Sequence, residues 1–152
     1  MKGIIAADRL NVKDPEMRAV YAATLEKLIQ KDSKVVALDP DNLFDCGIAE
    51  ANMVGVAAGL STEGFIPFVH SFGCFVARRA LDQIFMSCAY AKQNVKIIGS
   101  DPGVVAALNG GTHTPNEDIA ALRAIPEMTI IDMCDSVMAA ELLPQIAETY
   151  GT

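Results

Sequence analysis

The stretch that most constrains this chain is residues 47–60, Gly-Ile-Ala-Glu-Ala-Asn-Met-Val-Gly-Val-Ala-Ala-Gly-Leu. Small and apolar side chains fill it. The pattern predicts a helix with no face polar enough to meet solvent, so it should be buried all round. One carboxylate, Glu50, stands near its start. An unpaired buried carboxylate is costly, and desolvation disfavours its charged form. The first helical turn is the mildest place for it, because a helix N-terminus favours negative charge by roughly 0.3–1 kcal/mol. On the residues alone two roles stay open: Glu50 caps its own helix or meets a cation, or it is a functional carboxyl.

The flanking segments set that helix in an α/β domain. Residues 14–30 predict a first helix, with Asp14 as N-cap, Pro15 at the first position and Met17, Val20, Tyr21, Leu25 and Leu28 at helical spacing. Short apolar runs at 34–38, 65–70, 95–99 and 128–133 predict strands, Pro67 either weakening the second or lying near that strand's edge. A long helix is expected over 72–92. Thr114-Pro115-Asn116-Glu117 carries a capping-box pattern, and Ser136 can cap a last helix running to about Thr149. Helices alternating with short strands imply one domain with a mostly parallel sheet flanked by helices. Ligands of such sheets bind beyond the carboxyl ends of the strands, which directs attention to the Gly-rich loop after Ile97 and Ile98. That loop matches neither a P-loop nor a dinucleotide fingerprint.

Composition narrows the function classes. The 152 residues suit a single domain with a sizeable core, and a net charge of −7 argues against a nucleic-acid footprint. The apolar run at the start is too short for a signal peptide, and residues 48–60 are too few to span a bilayer. Cys46, Cys74, Cys88 and Cys134 are scattered without a C-x-x-C pair, so neither a zinc site nor a disulfide framework is indicated, and a reducing cytoplasm is expected.

Three stretches taken together carry a resemblance: GIAEANMVGVAAGL (47–60), PFVHSFGCFVARRALDQ (67–83) and NGGTHTPNEDIAALR (109–123). In this order and spacing they resemble the pyrimidine-binding domain of transketolases, especially those split into two polypeptides, and the likeness extends over roughly residues 12–150. The resemblance implies a thiamin diphosphate-binding pyrimidine-domain fold. It gives Glu50 the role of hydrogen-bonding the ring nitrogen of the cofactor's aminopyrimidine, and a desolvated carboxyl that keeps its proton suits that role. It assigns Phe72 and Phe75 to packing the aminopyrimidine ring, although on spacing alone both also suit a helix core. His113 matches a Thr-His pair that reaches a ketose substrate, and Asn109 stands where transketolases usually carry an Asp that contacts a substrate hydroxyl. Arg78 replaces an aromatic found in some relatives, and His70 has no implied role beyond structure.

The departures from the family pattern are as informative. Only residues 39–46 connect the first strand to the Glu50 helix; Asp41 takes the place of a cofactor-site Asp, but the Ser-bearing substrate loop has no counterpart. The diphosphate- and metal-binding domain is not in this sequence. The resemblance therefore implies a site shared with a partner that holds the metal, sugar phosphate substrates, and no activity from this chain alone. It also implies a homodimer or a hetero-oligomer with a diphosphate-binding subunit, the contact being the small-residue face Ala49, Met53, Val56 and Ala57. Two alternatives stand beside it: a non-catalytic assembly module that has lost the substrate loop, and an unrelated flavodoxin-like binding domain.

Overall fold

The computed structural model describes residues 15–39 and 44–152. The elements run α1 (Met17–Lys31), β1 (Val35–Leu38), α2 (Glu50–Thr62), β2 (Ile66–Phe72), α3 (Gly73–Arg79), α4 (Leu81–Gln83), β3 (Lys96–Ser100), α5 (Asp118–Leu122) and α6 (Ser136–Glu148). From α4 the chain continues as a π-helical segment, Ile84–Tyr90. The strands form a parallel sheet in the order β1-β2-β3. Because the order advances in one direction, both right-handed crossovers fall on the same face of the sheet.

Alternation along the strands separates two cores. On the crossover face Leu38 and Val69 pack with Met53, Val54 and Ala57 of α2, Val76 of α3, and Ile84 and Cys88. On the other face Val35, Ala37 and Phe68 pack with Leu25 of α1 and Ala139, Leu143 and Ala147 of α6. Each such side chain, fully buried, stabilises the fold by about 1.5–3 kcal/mol for the larger apolar types. The result is a three-layer α/β/α unit.

Pro67 is the second residue of β2, near that strand's edge as expected, although β2 is the central strand of the sheet. The Ile66 N–H bonds the Lys34 carbonyl on the β1 side, so the next residue faces β3, whose pairing begins only at Phe68 with Lys96. A proline there removes no ladder bond. Several other expectations are corrected. Residues 128–133 are not a strand: Ile130 and Ile131 are exposed, and the Thr129 N–H donates to the Thr152 carbonyl instead of to a neighbouring strand. The helix expected over 72–92 is interrupted at Ala80 (φ −111°, ψ 13°). The capping box does not form, since α5 starts after Glu117 and the Thr114 hydroxyl donates to the Gly110 carbonyl. Asp135, not Ser136, caps α6, accepting from the Met138 N–H at 2.7 Å. Helix α1 begins at Met17 with Glu16 as its N-cap; Asp14 lies outside the described residues.

The α2 helix is not buried all round. Met53 and Ala57, half of the expected dimer face, are completely buried in the core. The outward stripe is instead Asn52, Val56 (42% exposed) and Gly59, with Ile48 (84% exposed) just before the helix. Met53, Val54, Ala57 and Ala58 form the inner face, and Val56 and Ile48 stay exposed on the outer side.

At the far end of the sheet the Lys96 ammonium donates to the Asn94 side-chain oxygen and to the carbonyls of Thr149 and Gly151, at 2.6–2.8 Å. Burial lowers its pKa to about 8. This buried cation fastens the chain after α6 to the start of β3.

Candidate functional site

The site is assembled at the carboxyl ends of the strands, where α2 and α3 begin. A tight turn delivers Glu50: the Gly47 N–H bonds the Asp45 carboxylate at 2.7 Å, and Ala49 N–H bonds the Gly47 carbonyl at 2.8 Å. Gly47 has φ +64°, a left-handed conformation that glycine adopts without a steric cost. Glu50 then occupies the first turn of α2 and is 2% exposed.

Its carboxylate is not alone. A single guanidinium nitrogen of Arg79 (Nη1) lies 3.2 and 3.1 Å from its two oxygens, and the Ser71 hydroxyl donates to one of them at 3.3 Å. Of the two structural roles left open by the sequence, the cation is the one realised, and the charge of Glu50 is compensated within the chain. The odd residues of β2 point toward the crossover face, which is why Ser71 meets α2 while Phe68 goes to the opposite core.

Phe72 closes β2 and Phe75 stands one turn into α3. Their rings meet edge to face at a centroid distance of 5.6 Å. His113, on a 3-10 turn after Gly110, completes the group at 5.5 Å from Phe72 and 4.8 Å from Phe75, again edge-on. Gly110 (φ +79°) permits the turn that aims His113 inward. Arg79 lies over the Phe75 face, with Cζ 4.0 Å from the ring centroid, which joins the aromatic group to Glu50.

Arg78 secures the loop that carries His113. Its guanidinium pairs with the Glu117 carboxylate at 2.9 Å and donates to the carbonyls of Cys74 and Thr112. The Asn116 N–H beside the Glu117 carboxylate holds that group below the usual range, and Arg78 adds to the effect. The Arg78 cation works here as a brace.

Four of the six residues singled out from sequence, Glu50, Phe72, Phe75 and His113, are thus brought together. Asn109 ends a 3-10 turn and is exposed; among the described residues its side chain joins none of the others by a hydrogen bond. Asp41 lies outside the described residues. Sequence reasoning missed Ser71 and Arg79. The signal for Arg79 was an arginine pair in a helix otherwise facing the core, and only one of the pair finds an acidic partner on the loop.

His70, assigned no role beyond structure, sits on the opposite face. Its Nδ1 lies 2.6 Å from the Asp39 carboxylate and its ring meets Tyr21 at 5.3 Å. Burial, with the Asp39 charge, raises the Tyr21 phenol. Among the described residues no cluster of His, Cys, Asp and Glu is placed to hold a metal, and no helix is long and apolar enough to cross a membrane.

The fold is thus a parallel α/β sheet with a carboxylate at the start of one helix and a group of aromatic rings at the start of the next. Residues 38–151 match the family model described as the transketolase pyrimidine binding domain, and the chain belongs to that family. It is 46% identical over 151 residues to a 6-deoxy-6-sulfo-D-fructose transketolase subunit of Clostridium sp. (strain MSTE9), covering 89% of this chain and 47% of the relative. A putative transketolase C-terminal section of Methanocaldococcus jannaschii is 38% identical, with 89% and 48% covered. A solved split-gene transketolase, described as an inactive beta4 tetramer, superposes with a TM-score of 0.80 at 35% identity, covering 91% of this chain and 49% of that one. The chain spans about half the length of the curated relatives it matches.

Proposed function

We propose that this chain is the pyrimidine-binding part of a transketolase-like ketol transferase that uses thiamin diphosphate. The observation that carries the reading is Glu50, a buried carboxylate at the start of α2 set beside the Phe72–Phe75–His113 ring group. That donor set suits an aminopyrimidine, which needs a carboxyl for its ring nitrogen and aromatic surface for its faces. Thiamin diphosphate, when bound, supplies a thiazolium that stabilises negative charge on a substrate carbon. The chain contributes the rest. Glu50 sets its carboxyl toward the ring nitrogen to share a proton with it, with Ser71 fixing the position of the carboxyl. Phe72 and Phe75 orient the ring and keep water from it, and His113 turns toward the substrate side. Asn109, exposed on the preceding turn, is the contact for a substrate hydroxyl, and Asp41 belongs to the cofactor's surroundings.

In this reading the domain, residues 1–152, is half of a site. A partner subunit holds the cofactor's diphosphate and its metal ion, sugar phosphates are the substrates, and the assembly works in a reducing cytoplasm. The outward stripe of α2, Asn52 and Val56, with Ile48 just before the helix, is the surface suited to meet that partner or a second copy. The same stripe favours a second reading, an assembly module without catalysis, because it serves oligomerisation whether or not Glu50 does chemistry.

One experiment separates the two. The chain is mixed with a diphosphate-binding transketolase subunit, thiamin diphosphate and magnesium, and ketol transfer is measured for the wild type and for Glu50→Gln. Proton handling by a positioned carboxyl contributes about 100- to 10,000-fold, so a loss of at least about 100-fold is expected in the variant. A stable complex without activity in the wild type favours the assembly reading. Equal activity in both proteins refutes the role given to Glu50.

A further inference from the structure

Arg79 makes two contacts, and both are to groups that the proposed function assigns to the cofactor ring. Its Nη1 lies 3.1–3.2 Å from both Glu50 oxygens, and its guanidinium plane covers the Phe75 face at 4.0 Å. A guanidinium is flat, cationic and rich in N–H donors, so it satisfies a carboxylate and an aromatic face together, as a protonated aminopyrimidine does. Resting on that reading, we infer that Arg79 is a built-in stand-in for the aminopyrimidine, capping Glu50 in the free chain and leaving when the ring binds.

Three further observations support the displacement. With Arg79 in place both Glu50 oxygens already accept N–H donors, and one of them also accepts the Ser71 hydroxyl. His113 packs edge-on against both Phe72 and Phe75, so part of their ring surface is already taken. Two surface cavities, of about 290 and 230 Å³, are lined by other residues, one by Leu28, Val35 and Ile66 and one by Cys88, Lys92 and Tyr150.

The neighbour of Arg79 provides a contrast. Arg78 is pinned by Glu117 and by the carbonyls of Cys74 and Thr112. Arg79 is the last residue of α3, immediately before the break at Ala80, and its side chain is 47% exposed. Its guanidinium can rotate into solvent without unmaking helix or core, and the Glu50 oxygens and the Phe75 face are uncovered once it does. The cap keeps a buried carboxylate compensated in a chain that has no ring to bind. Its cost is lower affinity, because a ligand that needs the open form binds more weakly by the fraction of time the site is closed.

The test uses this chain alone with the aminopyrimidine alcohol that forms half of thiamin as probe. The Arg79 Nε–H and Phe75 ring signals are followed by NMR as the probe is added to the wild type, Glu50→Gln, Arg79→Lys and Arg79→Met. The expected result is that the probe moves the wild-type Arg79 signal to the position of a solvated arginine. Both Arg79 variants should bind the probe about tenfold or more tightly than the wild type. Probe binding that is weakened by Glu50→Gln, with the Arg79 signal unmoved and no gain in either Arg79 variant, overturns the cap and leaves the cofactor reading intact. Absence of binding in every arm also overturns the cap, since uncovering Glu50 should have opened a site; reconstituted activity then judges the cofactor reading separately. If Arg79→Met does not fold, which a thermal melt reveals, the wild-type titration and Arg79→Lys decide.

Discussion

The ring group depends on one close backbone approach, and that approach makes a sharp prediction. An ideal Cβ on Gly99 of β3 would fall 2.9 Å from the Gly73 Cα and 3.7 Å from its nitrogen, at the start of α3. Backbone lies on the far side, so no rotamer relieves the contact. Either β3 or the first turn of α3 must move. Overpacking of this kind costs about 1–3 kcal/mol, against a gain of about 0.4–1 kcal/mol from the stiffer unfolded chain. Gly99→Ala should therefore destabilise the fold by about 1–2 kcal/mol, a fall of about 2–8 °C in Tm for a domain of this size. Gly73→Ala is the internal control. Its Cβ would stand 3.3 Å from the Ser100 carbonyl and 3.4 Å from an Asp118 carboxylate oxygen, tight but not overlapping. Replacing a helical glycine by alanine returns up to about 1 kcal/mol, so the net effect should lie near zero. Thermal and urea melts followed by circular dichroism measure both. The reasoning fails if Gly99→Ala melts at or above the wild type, or if Gly73→Ala is the more damaging change.

Two further outcomes are expected. Asp135→Ala removes the side-chain acceptor for the Met138 N–H and should cost about 0.5–2 kcal/mol in urea unfolding, mostly as a lower midpoint at unchanged slope. Burial pushes the Cys88 thiol from its ordinary 9.0 up to about 12. Above pH 9 the unfolded chain releases this proton while the folded one keeps it. The stability contributed by the thiol is therefore complete below about 9 and is lost as pH climbs toward about 12. Melts between pH 8 and 10.5 should show a falling contribution that is absent in Cys88→Ala, and equal pH slopes in the two proteins would refute the assignment.

What the sequence made legible was the periodic part of the fold and the residues that belong to one family pattern. Strands β1, β2 and β3, and the helix carrying Glu50, follow from apolar runs whose spacing admits few alternatives. The misreadings have physical causes. Ile130 and Ile131 have the chemistry of a strand, but a strand exists only where a neighbour accepts its hydrogen bonds, and the partner of Thr129 is Thr152. The capping box at Thr114 lost its Glu117 to Arg78, a contact across 39 positions that no local motif can announce. In α2 every residue from Val54 to Leu60 is small or apolar, so composition gave no sign of which stripe faces the sheet; the buried Met53 and Ala57 and the exposed Val56 are settled only by packing.

The same limit explains why Arg79 went unseen. A pattern read along the chain treats Arg78 and Arg79 as one charged pair on a helix surface. In three dimensions they point in different directions, because successive helical residues are about 100° apart. One reaches the Glu117 loop and braces His113; the other crosses Phe75 to Glu50. A double substitution would therefore confuse two separable effects, loosening of the His113 loop and uncovering of the Glu50 carboxylate. Arg78→Ala alone should free the loop while the Glu50–Arg79 pair persists. That makes the Arg79 Nε–H signal a reporter of the pair that is independent of the loop.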